Sequence, residues 1–323
     1  MPSQILVLAL NPALDRTLWV PGFTPGKTNR VQRSRLDPGG KGINVARVLR
    51  ALGASVQVMG FLGEENGDPI RTHLDQIGVP HRFLRVPGET RVNLKILTPE
   101  TGTVTEVNDA GFVVPPEALE RLTALVVEAL SETGVLVLSG SLPRGVPADY
   151  YGQLIAKARE AGVRTVLDAD SEPLALAVAA GPTVVKPNRD EATRLLGRPL
   201  TTRQEVLQAA RDLRAQGPQT VVISCGAEGA VLVSPEGAWW AVPPAIQPRS
   251  TVGAGDAMVA ALALALAEGW PPEEALRTAT AAGAATASLE GTQPCSAREV
   301  ASLRPLVGIQ HLNLESVTGR TEG

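Results

Sequence analysis

Short runs of apolar and β-branched residues alternate along this chain with longer stretches whose apolar positions recur every three to four residues. The short runs at 5–10, 56–61, 135–139, 165–168, 183–186, 220–224 and 230–233 read as strands. The longer stretches at 42–52, 68–77, 116–130, 150–161, 173–180, 190–196, 203–216, 255–268 and 272–289 read as helices. Strands that are apolar throughout, separated by helices, are buried on both faces. The pattern therefore predicts an α/β fold with a mostly parallel sheet flanked by helices. In open sheets of this kind, ligands gather at the carboxyl ends of the strands. Two segments, 15–36 and 89–112, depart from the pattern. They alternate polar and apolar residues and carry Pro, Gly and Asn turns, which predicts the antiparallel strands of a small second sheet. They flank the first helical unit, as a lid inserted into a main domain (1–14, 37–88 and 113–310) would. Residues 311–323 are expected to form a polar tail.

Composition narrows the classes. Of 323 residues, 44% are hydrophobic and 20% charged, which suffices for a real core. A net charge of -3 and an aromatic content of 3% argue against a general nucleic-acid binder. No apolar stretch reaches the ~18 residues of a membrane span. The two cysteines, Cys225 and Cys295, have no metal-ligand spacing and read as reduced thiols of a cytoplasmic protein.

Candidate chemistry clusters in loops at predicted strand ends. Thr251-Val252-Gly253-Ala254-Gly255-Asp256 runs into an alanine-rich helix. Small residues at a helix N-terminus present free N–H groups to an anion. A carboxylate beside a bound phosphate makes sense when it takes a proton from the attacking nucleophile, although an N-cap role for Asp256 also fits. Gly39-Gly40-Lys41-Gly42-Ile43-Asn44 opens another helix and combines close backbone approach, a cation and an amide. Asp15, in Asn11-Pro12-Ala13-Leu14-Asp15, follows the first strand and can accept from sugar hydroxyls. Arg91 and Asn93, two apart, share a strand face. Ser139 and Arg144 lie in Ser139-Gly140-Ser141-Leu142-Pro143-Arg144-Gly145, and Lys186, Asn188 and Glu191 in the next strand-end motif. Asn188 with Glu191 fits either a capping box or water around Mg²⁺. Ser224, Gly226 and Gly229 fit either a nucleotide-lining loop or a plain turn. Gly22-Phe23-Thr24-Pro25-Gly26-Lys27-Thr28 is one residue short of a P-loop and falls in the lid segment. His73, His81 and His311 fit none of these motifs, which leaves no support for a histidine triad.

Taken together, Asn-Pro-Ala-Leu-Asp, Gly-Gly-Lys-Gly-Ile-Asn, Thr-Arg-Val-Asn, Ser-Gly-Ser-Leu-Pro-Arg-Gly, Lys-Pro-Asn-Arg-Asp-Glu, Ser-Cys-Gly-Ala-Glu-Gly and Ser-Thr-Val-Gly-Ala-Gly-Asp resemble the PfkB/ribokinase family of carbohydrate kinases over nearly the whole chain. The resemblance implies a Rossmann-like ribokinase fold with a β lid, ATP and Mg²⁺, and a homodimer formed through the lid. It implies Asp256 as general base and the N–H groups of Gly253, Ala254 and Gly255 as an anion hole. Asp15, Gly40, Lys41 and Asn44 would hold the sugar. Arg91, Asn93, Ser139 and Arg144 would serve the sugar and its phosphate. Lys186, Asn188, Glu191, Ser224, Gly226 and Gly229 would line the nucleotide side, with Glu191 toward the metal. Lys41 and the lid pattern favour fructose 1-phosphate as acceptor over tagatose 6-phosphate or fructose 6-phosphate. Family members commonly carry Asp, linked to a monovalent-cation site, where Ser250 stands. A sugar-phosphate sensor on the same fold is the competing class, and its mark would be loss of the base.

Overall fold

The computed structural model describes residues 4–312. Its larger sheet runs Gly308–Leu312, Gly237–Val242, Ala230–Ser234, Thr220–Ser224, Val184–Val185, Arg164–Asp168, Thr133–Ser139, Gln4–Ala9, Val56–Gly63, His81–Val86 from edge to edge. Pairing is parallel from Thr220–Ser224 through His81–Val86 and antiparallel beyond Thr220–Ser224. Alternation along the first strand sorts its side chains into two cores. Ile5, Val7 and Ala9 pack toward the helices Lys41–Ala51, Ala254–Glu268 and Pro272–Ala287. Leu6, Leu8 and Leu10 pack toward Pro116–Ala129, Tyr150–Glu160, Ser171–Ala179 and Arg203–Ala215. Burying one such aliphatic side chain is worth about 1.5–3 kcal/mol. The mostly parallel α/β architecture expected from the sequence is the one observed.

The smaller sheet runs Arg33–Gly39, Ala13–Trp19, Arg91–Thr98, Thr103–Val107. Its two outer pairings are antiparallel, but the central pair, Ala13–Trp19 with Arg91–Thr98, is parallel. The expectation of antiparallel strands therefore holds within each segment and fails at the seam between them. Both central strands leave the main sheet outward, one after Gln4–Ala9 and the other after His81–Val86, while their partners return. Two outgoing strands side by side must be parallel. The strands also overrun the expected segment 15–36 at both ends. Thr90, fully buried, fixes the root of the second central strand. Its Oγ1 accepts from the Gly63 N–H, and Asn66 bonds its backbone on both sides.

Other boundaries moved as well. The expected strand 183–186 shortens to Val184–Val185. The expected tail boundary at 311 is corrected, because Gly308–Leu312 pairs with Gly237–Val242 and His311 lies opposite Trp239. Residues 313–323 of that tail lie outside the described residues. No helix among the described residues is long and apolar enough to cross a membrane.

Candidate active site

The carboxyl ends of the parallel strands, the lid and two helix N-termini enclose a cleft of about 970 Å³. The helix Lys41–Ala51 starts from Gly40 at φ 89°, and Ala254–Glu268 from Gly253 at φ 84°. Glycine takes these left-handed values without a Cβ penalty, so both chains can turn sharply and aim their first-turn N–H groups into the cleft. Of the anion-hole trio, the Ala254 N–H already donates to the Thr251 carbonyl over 3.3 Å. The N–H groups of Gly255 and Asp256 fall in the first turn, where the helix supplies no acceptor.

Asp256 is buried, and its Oδ2 accepts from Asn44 Nδ2 at 2.9 Å. Burial, then the neighbouring negative charge of Asp168, pushes its carboxyl up to about 6; the Asn44 bond and the Lys41 and Lys186 cations pull the other way. A carboxylate half-ionised near pH 6 is poised to accept a proton near neutrality.

Asp15 is likewise buried. It accepts from Asn93 Nδ2 at 3.1 Å and from Lys95 Nζ at 3.0 Å. Gly39 is required beside it, because a Cβ there would lie 2.7 Å from Asp15 Oδ2. Arg91 lines the cleft but spends donors on the carbonyls of Asn11 and Pro12. Lys41 and Lys186 converge on one residue absent from the expected set, Asp168. Its Oδ1 lies 3.2 Å from Lys186 Nζ and its Oδ2 3.3 Å from Lys41 Nζ. Burial opposes ionisation of Asp168, but the two lysines outweigh it and hold the carboxyl below its usual range. Asp168 in turn raises Lys41 well above the ordinary lysine value.

The other end of the cleft is less polar. Ser224, Gly226 and Gly229 line it with Ala227, Pro243, Pro244, Ile246, Met258 and Ala284. Asn188 and Glu191 line the cleft between the ends. They close a capping box on the helix Arg189–Leu196: Asn188 Oδ1 accepts from the Glu191 N–H at 2.8 Å, and Glu191 Oε2 from the Asn188 N–H at 2.7 Å. Capping, one of the two readings open from the sequence, is thus realised.

Two expected site residues are not brought to this cleft. Ser139 is buried beneath it, with Oγ 3.4 Å from Asp168 Oδ2. Arg144 lies outside it, bonded to the Gly111 carbonyl in a separate surface depression. The Gly22–Thr28 stretch sits in the loop joining the first two lid strands. Conversely, Lys95, Glu106 and Asn108 line the cleft without having been expected. Lys95 was within reach of the reasoning used for Arg91 and Asn93, since it continues the same strand face. Asp168 stood at a strand end with no motif around it.

A polar pocket meeting a less polar one at a helix N-terminus, with a carboxylate at the junction, suits group transfer to a hydroxyl. The chain belongs to the pfkB family of carbohydrate kinases, whose pattern it matches over residues 8–299. It is accordingly a phosphotransferase acting on a hydroxyl group, with ATP as phosphoryl donor. It is 45% identical to 1-phosphofructokinase of Rhodobacter capsulatus, over 87% of this chain and 89% of that one. It is 38% identical to 1-phosphofructokinase of Escherichia coli K12, over 97% and 100%. Phosphofructokinase-2 from Escherichia coli, solved in complex with potassium, superposes with a TM-score of 0.89 at 35% identity, covering 94% of this chain and 99% of the other.

Proposed function

We propose that this kinase transfers the γ-phosphoryl of ATP to fructose 1-phosphate, giving fructose 1,6-bisphosphate and ADP. The observation that carries the reaction type is the placement of Asp256, buried in the first turn of a helix between the polar and less polar ends of the cleft, where burial raises its carboxyl above the usual range. Asp256 takes the proton of the acceptor hydroxyl. The N–H groups of Gly253 and Gly255, with Ala254 able to join them on release from the Thr251 carbonyl, and the Lys186 ammonium stabilise charge on the transferring phosphoryl, a fixed-dipole role worth a few kcal/mol. Asp15, Asn44, Asn93 and the Gly40 backbone orient the sugar, and Lys41 and Arg91 add positive charge suited to a phosphorylated acceptor. Ser224, Gly226 and Gly229 flank the nucleotide.

The donor set fits Mg²⁺ in one manner. No group of three or more His, Cys, Asp or Glu residues gathers among the described residues. Mg²⁺ beside a nucleotide needs only one or two carboxylates plus phosphates and water. Glu191, with one oxygen in its capping box and the other uncommitted there, would supply one. The metal would offset phosphate charge when bound.

The fructose 1-phosphate assignment draws on the two 1-phosphofructokinase relatives and on Lys41. A second reading, fructose 6-phosphate, draws on the similarity to Escherichia coli phosphofructokinase-2, also solved in complex with fructose-6-phosphate. ADP release with ATP and Mg²⁺, measured in parallel on fructose 1-phosphate, fructose 6-phosphate and tagatose 6-phosphate, separates them. A kcat/KM at least tenfold higher for fructose 1-phosphate is expected, and a preference for either 6-phosphate overturns the assignment. Silence with all three favours the sensor.

We further infer pairing of two chains through the lid. Strand register puts Asp15, Asn93, Lys95 and Glu106 on the cleft face, and Leu18, Leu36, Leu94, Ile96 and Val107 on the other. Leu36 and Val107 are 40% and 53% exposed there. An exposed apolar sheet face of this kind marks an interaction surface. Sedimentation at the mass of two chains is expected; a monomer at micromolar concentration contradicts it.

A further inference from the structure

The one fully ion-paired acid in the cleft is not the base. Asp168 ends the strand Arg164–Asp168, its side chain 2% exposed, with a lysine against each oxygen. The two lysines come from opposite sides of the cleft. Lys41 opens the helix on the sugar side, and Lys186 follows Val184–Val185 on the nucleotide side. Lys186 Nζ also sits against the first turn of the Ala254–Glu268 helix, where a Cβ built on Gly255 would be 3.7 Å from it. A buried carboxylate with no partner would be costly, and two lysines converging with no counter-charge would repel. Each arrangement exists because of the other.

We propose that Asp168 is a positioning residue for phosphoryl transfer: it clamps Lys41 and Lys186, one against each of its oxygens, at the junction of the two pockets. This rests on the kinase reading above, whichever sugar phosphate is the acceptor. The groups that act on Asp256 are few: the Asn44 amide by hydrogen bond, Asp168 by like charge, and Lys41 and Lys186 by opposite charge. Burial disfavours ionised Asp256 most, and Asp168 is the neighbouring charge that adds to it; removing that charge leaves burial opposed by Asn44, Lys41 and Lys186. The acid limb of the pH profile must then move to lower pH, although the variant is slower.

The test is Asp168→Asn, with pH profiles of kcat/KM for wild type and variant and a thermal melt to verify folding. The expected result is a fall in kcat of about ten- to a hundredfold, as misplaced catalytic groups produce, and an acid limb displaced downward by about half a unit or more. A purely structural role would lower activity and leave the limb in place, which overturns the proposal, as does wild-type behaviour. A changed Mg²⁺ requirement with an unmoved limb also overturns it, by assigning Asp168 to the metal. Should Asp168→Asn fail to fold, Lys41→Met serves. It removes a cation that favours ionised Asp256, so its limb must move upward, and an unmoved limb is contrary. If the wild type turns over no sugar phosphate, the kinase reading fails by itself. The ¹³C titration of the Asp256 carboxyl in Lys41→Met then reads the same displacement, and no displacement overturns the clamp.

Discussion

Asp256→Asn is expected to lower kcat by about 10³-fold or more, at the upper end of what a positioned proton acceptor contributes. The amide keeps an oxygen to accept from Asn44 Nδ2, so the side chain stays in place and loses only its basicity. KM values for both substrates should change little, and the acid limb near pH 6 should vanish from what activity remains. Stability moves the other way. The folded carboxyl sits at about 6, above its ordinary value of 3.8. Its contribution is fully present below about 3.8 and lost as pH rises through about 6, above which the buried ionised group costs stability. A neutral Asn carries no such cost, so at pH 8 the variant should melt at or above the wild-type temperature. An inactive yet equally stable variant separates chemistry from folding. Near-wild-type turnover would remove Asp256 from the base role.

Gly229→Ala should damage both the fold and the nucleotide pocket. Gly229 has φ 109°, and a Cβ there would lie 1.9 Å from the Ala241 carbonyl oxygen, an impossible contact with backbone. The turn has no slack. The Cys225 N–H donates to the Gly229 carbonyl at 2.7 Å, and the buried Trp240 donates Nε1–H to the Glu228 carbonyl at 3.1 Å. Relief requires moving the Ser224–Gly229 loop away from the strand Gly237–Val242, and that loop lines the cleft. Overpacking plus a strained φ is expected to cost about 2–4 kcal/mol. The melting temperature should fall by several degrees, and KM for ATP should rise while KM for the sugar phosphate holds. A variant matching wild type on both counts would contradict the placement of this loop.

Where burial repeated itself, the chain was legible. The doubly buried parallel strands and the helices between them stood out because each needed a continuous or 3.6-periodic apolar pattern. Much of what escaped was weakly patterned: His81–Val86 and Gly308–Leu312 are edge strands that bury one side or less. The helix Ala297–Leu303 was missed despite its signal, the Ser296–Glu299 capping box, which closes in the structure. The site motifs survived as a set because glycines and strand ends mark where backbone meets ligand. Asp168 did not, because its role lies in lysines 127 and 18 residues away in sequence. Arg144 stood in a Gly/Pro-rich strand-end motif that suited an anion contact, and the fold turns it to the Gly111 carbonyl instead.

The central claim is that ATP phosphorylates the C6 hydroxyl of fructose 1-phosphate. It is tested most directly by following wild-type protein, ATP, Mg²⁺ and fructose 1-phosphate by ³¹P NMR. The account requires the ATP γ-phosphate resonance to disappear as ADP and a second sugar phosphomonoester, on C6, grow in equal amounts. ADP accompanied only by inorganic phosphate, or a new phosphate on any other carbon, would contradict it.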